Sequence, residues 1–139
     1  MNKSFEIYKH KNEVIAIVIR SNFKGKDMRF FTEDSSSQQL AFISHKKGKI
    51  IEPHRHNKIK REIYYTQEVD ILKKGKIKVY LYTKNGEFFK NVILNSGDLI
   101  LFASGGHGYR VIKDIEMILV KQGPYAGDKD KTYIDDDLS

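Results

Sequence analysis

Apolar and polar residues alternate along much of the chain with a period of two, the signature of strands with one buried face. The clearest case is Lys76-Ile77-Lys78-Val79-Tyr80-Leu81-Tyr82, which puts Ile77, Val79 and Leu81 on one side. Asn85-Gly86 then supplies a pair suited to a two-residue type I′ turn, and Glu87–Leu94 returns as the second strand of a predicted hairpin. Upstream, Phe5–Tyr8, Glu13–Ile19 and Gln39–Ser44 read as strands, and Lys49–His56 as a further strand entered after Gly48. Leu99–Ala103, Gly108–Ile112 and Glu116–Lys121 complete the series. Proline occurs only at Pro53 and Pro124, and Gly, Asn and Asp recur between the apolar runs. Roughly ten short strands at intervals of about 8–12 residues predict an all-β sandwich or barrel, with any ligand at an open mouth. Asn22–Ser37 reads as a loop around one short strand. Residues 1–127 read as a single domain and 128–139, with Asp135-Asp136-Asp137, as a flexible acidic tail. No helical period of useful length and no internal repeat is present.

Composition narrows the function. A chain of 139 residues, 40% hydrophobic and 31% charged, is globular and of single-domain size. With no cysteine, a disulfide scaffold, a thiolate zinc site, an iron–sulfur cluster and a cysteine nucleophile are all excluded. The apolar run Val14–Ile19 is too short for a membrane span and lacks a small-residue cleavage site, so a cytoplasmic protein without a membrane partner is expected. Twenty-five Lys and Arg against 18 Asp and Glu leave a net charge of +7, which favours anionic partners. The lysines are scattered singly and in pairs, with no RNA-binding signature or zinc-finger spacing. A small, anionic molecule is thus the expected partner rather than nucleic acid.

Chemistry concentrates in a few residues. Of the five histidines, His54 and His56 form an H-x-H pair; on a strand the two imidazoles point the same way, about 6–7 Å apart at Cα, and can grip one divalent cation. Around them stand Gly48 before, then Glu68 and Gly75 separated by six residues. Further on come Gly97-Asp98-Leu99-Ile100-Leu101-Phe102 and Ser104-Gly105-Gly106-His107. The first set closely matches the first motif of the cupin family, and the second echoes its second motif. More narrowly, Pro53–His56, Thr66–Glu68, Ser104–Gly108 and Gln122–Tyr125 resemble the blocks of a group of small single-domain cupins often linked to surface-polysaccharide genes. The resemblance implies a double-stranded β-helix, the cupin or jelly-roll barrel. It also implies a divalent transition metal (Fe, Mn, Ni, Zn or Cu) held by His54, His56, Glu68 and His107. By the same analogy the chain is expected to form a homodimer through sheet edges.

This chain departs from the family pattern in several places. Eleven residues, Asn57–Gln67, separate the H-x-H pair from Glu68, leaving Glu62 as a rival carboxylate. Ala103 stands where the second motif has proline, His107 arrives one residue early, and Asp70 replaces an apolar residue. Hydrophobic alternation buries Val69 and Ile71 and leaves Glu68 and Asp70 wet, whereas the family register turns both acids inward. Turned inward, Asp70 supports the metal ligands or accepts a proton, and Tyr109 is the other proton-handling candidate. Each residue also has a plain structural role open to it: His54 and His56 on an exposed edge, His107 at a turn, Glu68 facing solvent. Gly105, Gly106 and Gly108 read as glycines required by positive φ, and Tyr64, Tyr65 and Tyr109 as packing residues. Lys60 and Arg61 read as a solvated loop that can also reach an anionic substrate. Three functions stand side by side: a metal-dependent isomerase, epimerase or dioxygenase acting on a sugar or sugar phosphate; a metal-free sugar-modifying enzyme with histidine as base; and a non-catalytic ligand-binding module.

Overall fold

The computed structural model describes residues 4–139. They form two compact units, residues up to Phe23 with Thr66–Ser139, and Lys24–Tyr65. The class is all-β: the one helical element among the described residues is a single 3-10 turn, Gly127–Asp130.

The larger unit is one antiparallel sheet of six strands: β1 (Phe5–His10), β2 (Glu13–Ile19), β5 (Glu68–Tyr82), β6 (Phe88–Asn95), β7 (Leu99–Phe102) and β8 (Gly106–Lys121). The smaller unit holds the two-stranded pair β3 (Asp27–Phe30) and β4 (Ala41–Ser44). In the large sheet β5 is central. β8 runs along its whole length on one side, while β7 and then β6 share the other side. The sheet curls into a half-barrel. Its core is Ile15, Ala16 and Val18 of β2 against Leu72, Ile77, Val79 and Leu81 of β5, with Val92, Leu94, Ile100 and Phe102. The alternation of Ile77, Val79 and Leu81 thus has its predicted outcome, each of them fully buried.

One residue accounts for the curl. Drawn out straight, β5 would put Glu68 and Leu81 roughly 40 Å apart at about 3.3 Å per residue. Near Gly75 the β5–β8 register slips repeatedly, between Leu72 and Ile77. Gly75 has φ +90°, and a Cβ there would strike the Asp114 carbonyl oxygen. Only glycine permits that approach, and the bulge lets the strand bend so that its two halves face each other. Gly75 sits in the middle of a strand, and the two predicted strands Gly108–Ile112 and Glu116–Lys121 are likewise one bent strand, β8.

Other differences have equally local causes. Gly86 has φ +80° but Asn85 is not in the left-handed region, and Gly86 N–H donates to Thr83 O at 2.9 Å. This is a longer turn ending in a left-handed glycine, not the expected type I′ pair. The pair with both φ positive is Lys11-Asn12, joining β1 to β2. Lys49–His56 forms no strand. Residues 43–66 are exposed throughout, Ile50 and Ile51 are adjacent rather than alternating, and Pro53 lacks a donor, so no buried face exists to hold a ladder. Tyr64 and Tyr65, expected to pack, are 84% and 72% exposed. The Gly97-Asp98 block serves the fold, because buried Asp98 binds Arg20 at 2.9 Å and accepts from the N–H groups of Ser21 and Asn95. No helix among the described residues is long and apolar enough to cross a membrane.

Candidate functional site

Glu68 and Asp70 leave the first half of β5 on the same face, and His107 and Tyr109 leave the start of β8. In the ladder His107 pairs with Leu81 and Tyr109 with Val79, far along β5 from the two acids. The bend at Gly75 brings the four side chains together inside the larger unit. The conflict between alternation and family register is resolved by burial on both faces. Val69 is buried, and Asp70 is 0% exposed.

The cluster is tightly linked. The Tyr109 hydroxyl donates to Asp70 Oδ2 through a very short hydrogen bond and stands 3.4 Å from Glu68 Oε1. His107 Nε2 lies 3.6 Å from the same Glu68 oxygen, an ion pair when the imidazole is protonated. The His107 ring is stacked on Phe102, centroids 3.7 Å apart and planes 9° from parallel, and meets the Tyr109 ring edge-on at 5.5 Å. This sandwich fixes the imidazole's orientation, as aromatic pairs do. Asp70 Oδ1 is buried with no hydrogen-bond partner among the described residues, an arrangement that costs free energy unless a proton or a ligand answers it.

The electrostatics split the two carboxyls. Burial, reinforced by the Glu68 carboxylate, pushes Asp70 up to about 6 despite the Tyr109 hydrogen bond. Burial acts the same way on Glu68, but His107 and Asp70 outweigh it and hold Glu68 below the usual carboxylate range. Tyr109 is raised by burial and by Asp70, so its phenol keeps its proton. Two acids driven apart in this way are suited to different parts in proton transfer. Glu68, His107 and Tyr109 border a cavity of about 560 Å³ that Tyr82, Phe102 and Lys121 also line, with Asp70 buried behind Tyr109.

The expected ligand set therefore divides. Glu68 and His107 meet in the larger unit. His54 and His56 lie in the smaller one, with ring centroids 5.5 Å apart and His54 Nδ1 2.9 Å from Glu52 O. The rival Glu62 is exposed there, bound to Lys60 and Tyr64. Among the described residues no group of three or more His, Cys, Asp or Glu side chains is arranged to hold a metal ion. Of the four expected ligands, only Glu68 and His107 meet beside the cavity. Two features of the cavity have no clear signal in the sequence. Tyr82 falls on the outward side of its alternating strand, opposite Gly106, and is buried there beside the C-terminal segment, its hydroxyl donating to Asp136. Phe102 belongs to the second motif, yet nothing local announces a stacking partner for His107. No family model, curated protein or solved structure matches the chain.

Proposed function

We propose that the chain is a cupin-type protein, a double-stranded β-helix that binds a small sugar or sugar phosphate in the Glu68–Tyr109 cavity and moves a proton on it, as an isomerase or epimerase does. The observation that carries this reading is the approach of His107 Nε2 to Glu68 Oε1 at 3.6 Å on the cavity wall, beside Tyr109 with the buried Asp70 behind it. A cavity of this volume suits a monosaccharide derivative. Carboxylates accept sugar hydroxyls, and the faces of Tyr82 and Tyr109 suit the apolar face of a sugar ring. His107 takes the proton from a carbon next to a carbonyl, and the Glu68 carboxylate stabilises the imidazolium that forms. Tyr109, turning its single O–H from Asp70 to the substrate, donates a hydrogen bond to the oxygen that gains charge. The imidazolium then returns the proton to the neighbouring carbon, as in an isomerase; epimerisation needs a second acid on the opposite face of the carbon.

Incubation in D₂O with a panel of free and nucleotide-linked keto sugars, followed by mass spectrometry, tests this. Deuterium should enter the sugar, and His107→Asn should slow its entry by about 10²-fold or more, the usual scale of general acid–base catalysis. Entry at the native rate in His107→Asn removes the base from the proposal. The cation implied by the family resemblance is decided by elemental analysis of protein purified without chelator or nickel affinity. The acid–base reading expects deuterium entry unchanged by EDTA. One equivalent of metal, lost in His56→Ala together with activity, replaces it with the metal-dependent reading.

A further inference from the structure

Lysines that stand singly and in pairs along the chain are gathered by the β5–β8 ladder onto one face of the sheet. Ile77, Val79 and Leu81 are buried on the core side of β5, so Lys76, Lys78 and Tyr80 leave it on the other side. Residues directly opposite in a ladder share a face. Lys113 of β8 stands opposite Lys76, and Arg110 stands opposite Lys78. On the other flank β6 sets Asn95 opposite Lys76 and Asn91 opposite Tyr80. Like charge therefore meets like charge in two adjoining rows, an arrangement that is destabilising by itself. Arg110 and Lys113 are exposed, and none of these four cations makes an ion pair among the described residues. The acids of this region stand at the end of the patch, Asp114 next to Lys113 and Glu116 opposite Lys74.

The two ends of this face differ. At the Lys76 end a hollow of about 730 Å³ opens between Lys74, Lys76, Lys113, Asn95 and Ser96, with Asp114 at its edge. Toward the other end Phe88 of β6 is 54% exposed, its ring centroid 6.5 Å from that of half-buried Tyr80. Beyond Tyr80 the C-terminal segment, read in the sequence as an acidic tail, covers the same face. A Cβ on Gly106 would strike Ile134 Cδ1, one on Gly108 would stand 3.2 Å from Leu138 Cδ1, and Asp136 Oδ2 accepts a hydrogen bond of 2.6 Å from the Tyr82 hydroxyl. Neither glycine has a positive φ, so the reason expected for the whole run holds for Gly105 alone, at φ +69°. Gly108 stands opposite Tyr80, so Leu138 marks the border between the covered and the open parts of the face.

We propose that the open part of this face binds single-stranded nucleic acid: phosphates lie on Lys76, Lys78, Arg110 and Lys113, and bases stack on Phe88 and Tyr80 with their edges toward Asn91 and Asn95. Unpaired cations in adjoining rows call for a polyanion, and the exposed ring beside them selects one that carries π-faces. An acidic peptide has no use for the rings. It also finds no unpaired backbone to extend here, because the C-terminal half of β5 has ladder partners on both sides. A duplex offers phosphates but keeps its base faces inside the stack. The surface lies across the sheet from His107 and Tyr109, and it does not rest on the reaction proposed for them.

Fluorescence anisotropy of a short labelled oligouridine, titrated with the full chain at several salt concentrations, tests this. Arg110→Glu with Lys113→Glu should weaken binding about ten-fold or more and flatten its salt dependence, by about 0.7 in logarithmic slope for each phosphate contact removed. Each new acid stands opposite a lysine, so this variant should melt no lower than the native chain. As a control, Lys46→Glu with Lys47→Glu makes the same change in net charge at exposed positions of the smaller unit, and should weaken binding less than about three-fold. Phe88→Leu keeps an apolar side chain but loses the ring, and should weaken binding about three-fold or more at an unchanged salt slope. If the β8 variant does not fold, Lys76→Gln with Lys78→Gln takes its place. Absence of binding at low salt, native affinity in the β8 variant, or equal losses in that variant and the control each overturn the proposal. Native affinity in Phe88→Leu, or polyglutamate binding as tightly as the oligonucleotide, overturns it in favour of a surface for acidic protein. Proton exchange on a sugar plays no part in this readout, so either proposal can fail while the other stands.

Discussion

His54-x-His56 and His107-x-Tyr109 have the same spacing, two ring-bearing residues one apart, and they end in opposite circumstances. The first lies in an exposed stretch without a strand, where the rings touch each other and the backbone of Glu52. The second lies on β8, where the ladder to Val79 and Leu81 fixes both side chains on one face, over Phe102, Glu68 and Asp70. An i,i+2 spacing aligns two side chains only if the backbone between them is held extended. That hold comes from neighbouring strands and not from the pair. The lesson extends to the glycines. Gly48 and Gly75 have nearly the same φ, +91° and +90°, yet a side chain on Gly48 would meet open space while one on Gly75 would strike the Asp114 backbone.

Replacing these glycines is the strongest way to break the comparison. Gly75→Val combines left-handed strain with a backbone clash and should cost about 3 kcal/mol or more, enough to unfold the larger unit or remove the bend that closes the site. Gly48→Ala meets strain alone and should cost about 1 kcal/mol. Urea denaturation followed by circular dichroism separates them, and equal costs would mean that the bend at Gly75 is not what holds the curl.

The next effect concerns Asp70. Its folded-state value, about 6, lies above the ordinary 3.8, so the folded chain holds that proton more tightly than the unfolded one. This contribution is fully present below 3.8 and is lost as pH rises toward about 6. Glu68, held low, acts with the opposite sign and loses its contribution as pH falls below the usual carboxylate range. Between pH 4 and 6 the stability of the native protein should therefore decline relative to Asp70→Asn by on the order of 2 kcal/mol. Parallel urea midpoints for the two proteins across that window would deny Asp70 its raised value.

The smallest effect sharpens the contrast between the two ring pairs. His107→Ala strips a stacked ring from Phe102 and should cost about 1 kcal/mol. His54→Ala and His56→Ala, at exposed positions, should each stay within about 0.5 kcal/mol in thermal or urea melts. A cost for His56→Ala as large as for His107→Ala would place the exposed pair in a tertiary role that its surroundings do not suggest.

Several features were legible in the chain because they depend on neighbours in sequence. Alternation placed Ile77, Val79 and Leu81 in the core and marked the hairpin that β5 forms with β6. The all-β class follows from the same pattern. Glu68, Asp70, His107 and Tyr109 stood out by residue type and motif, and they do come together. Lys49–His56 misled because a run can have strand-like residues and still lack a partner strand to bury it.

What only the tertiary structure decided involves residues distant in sequence. The burial of Asp70, the opposite shifts of the two acids and the meeting of His107 and Tyr109 with them all require β5 and β8 to be bent around Gly75. The resting place of Ile134 and Leu138 on Gly106 and Gly108 requires the end of the chain to return to a sheet face built earlier. Local pattern reports which face a residue prefers. It does not report which distant group will share that face, because the proximity is created by the fold's closure and carries no local hydrophobic signature.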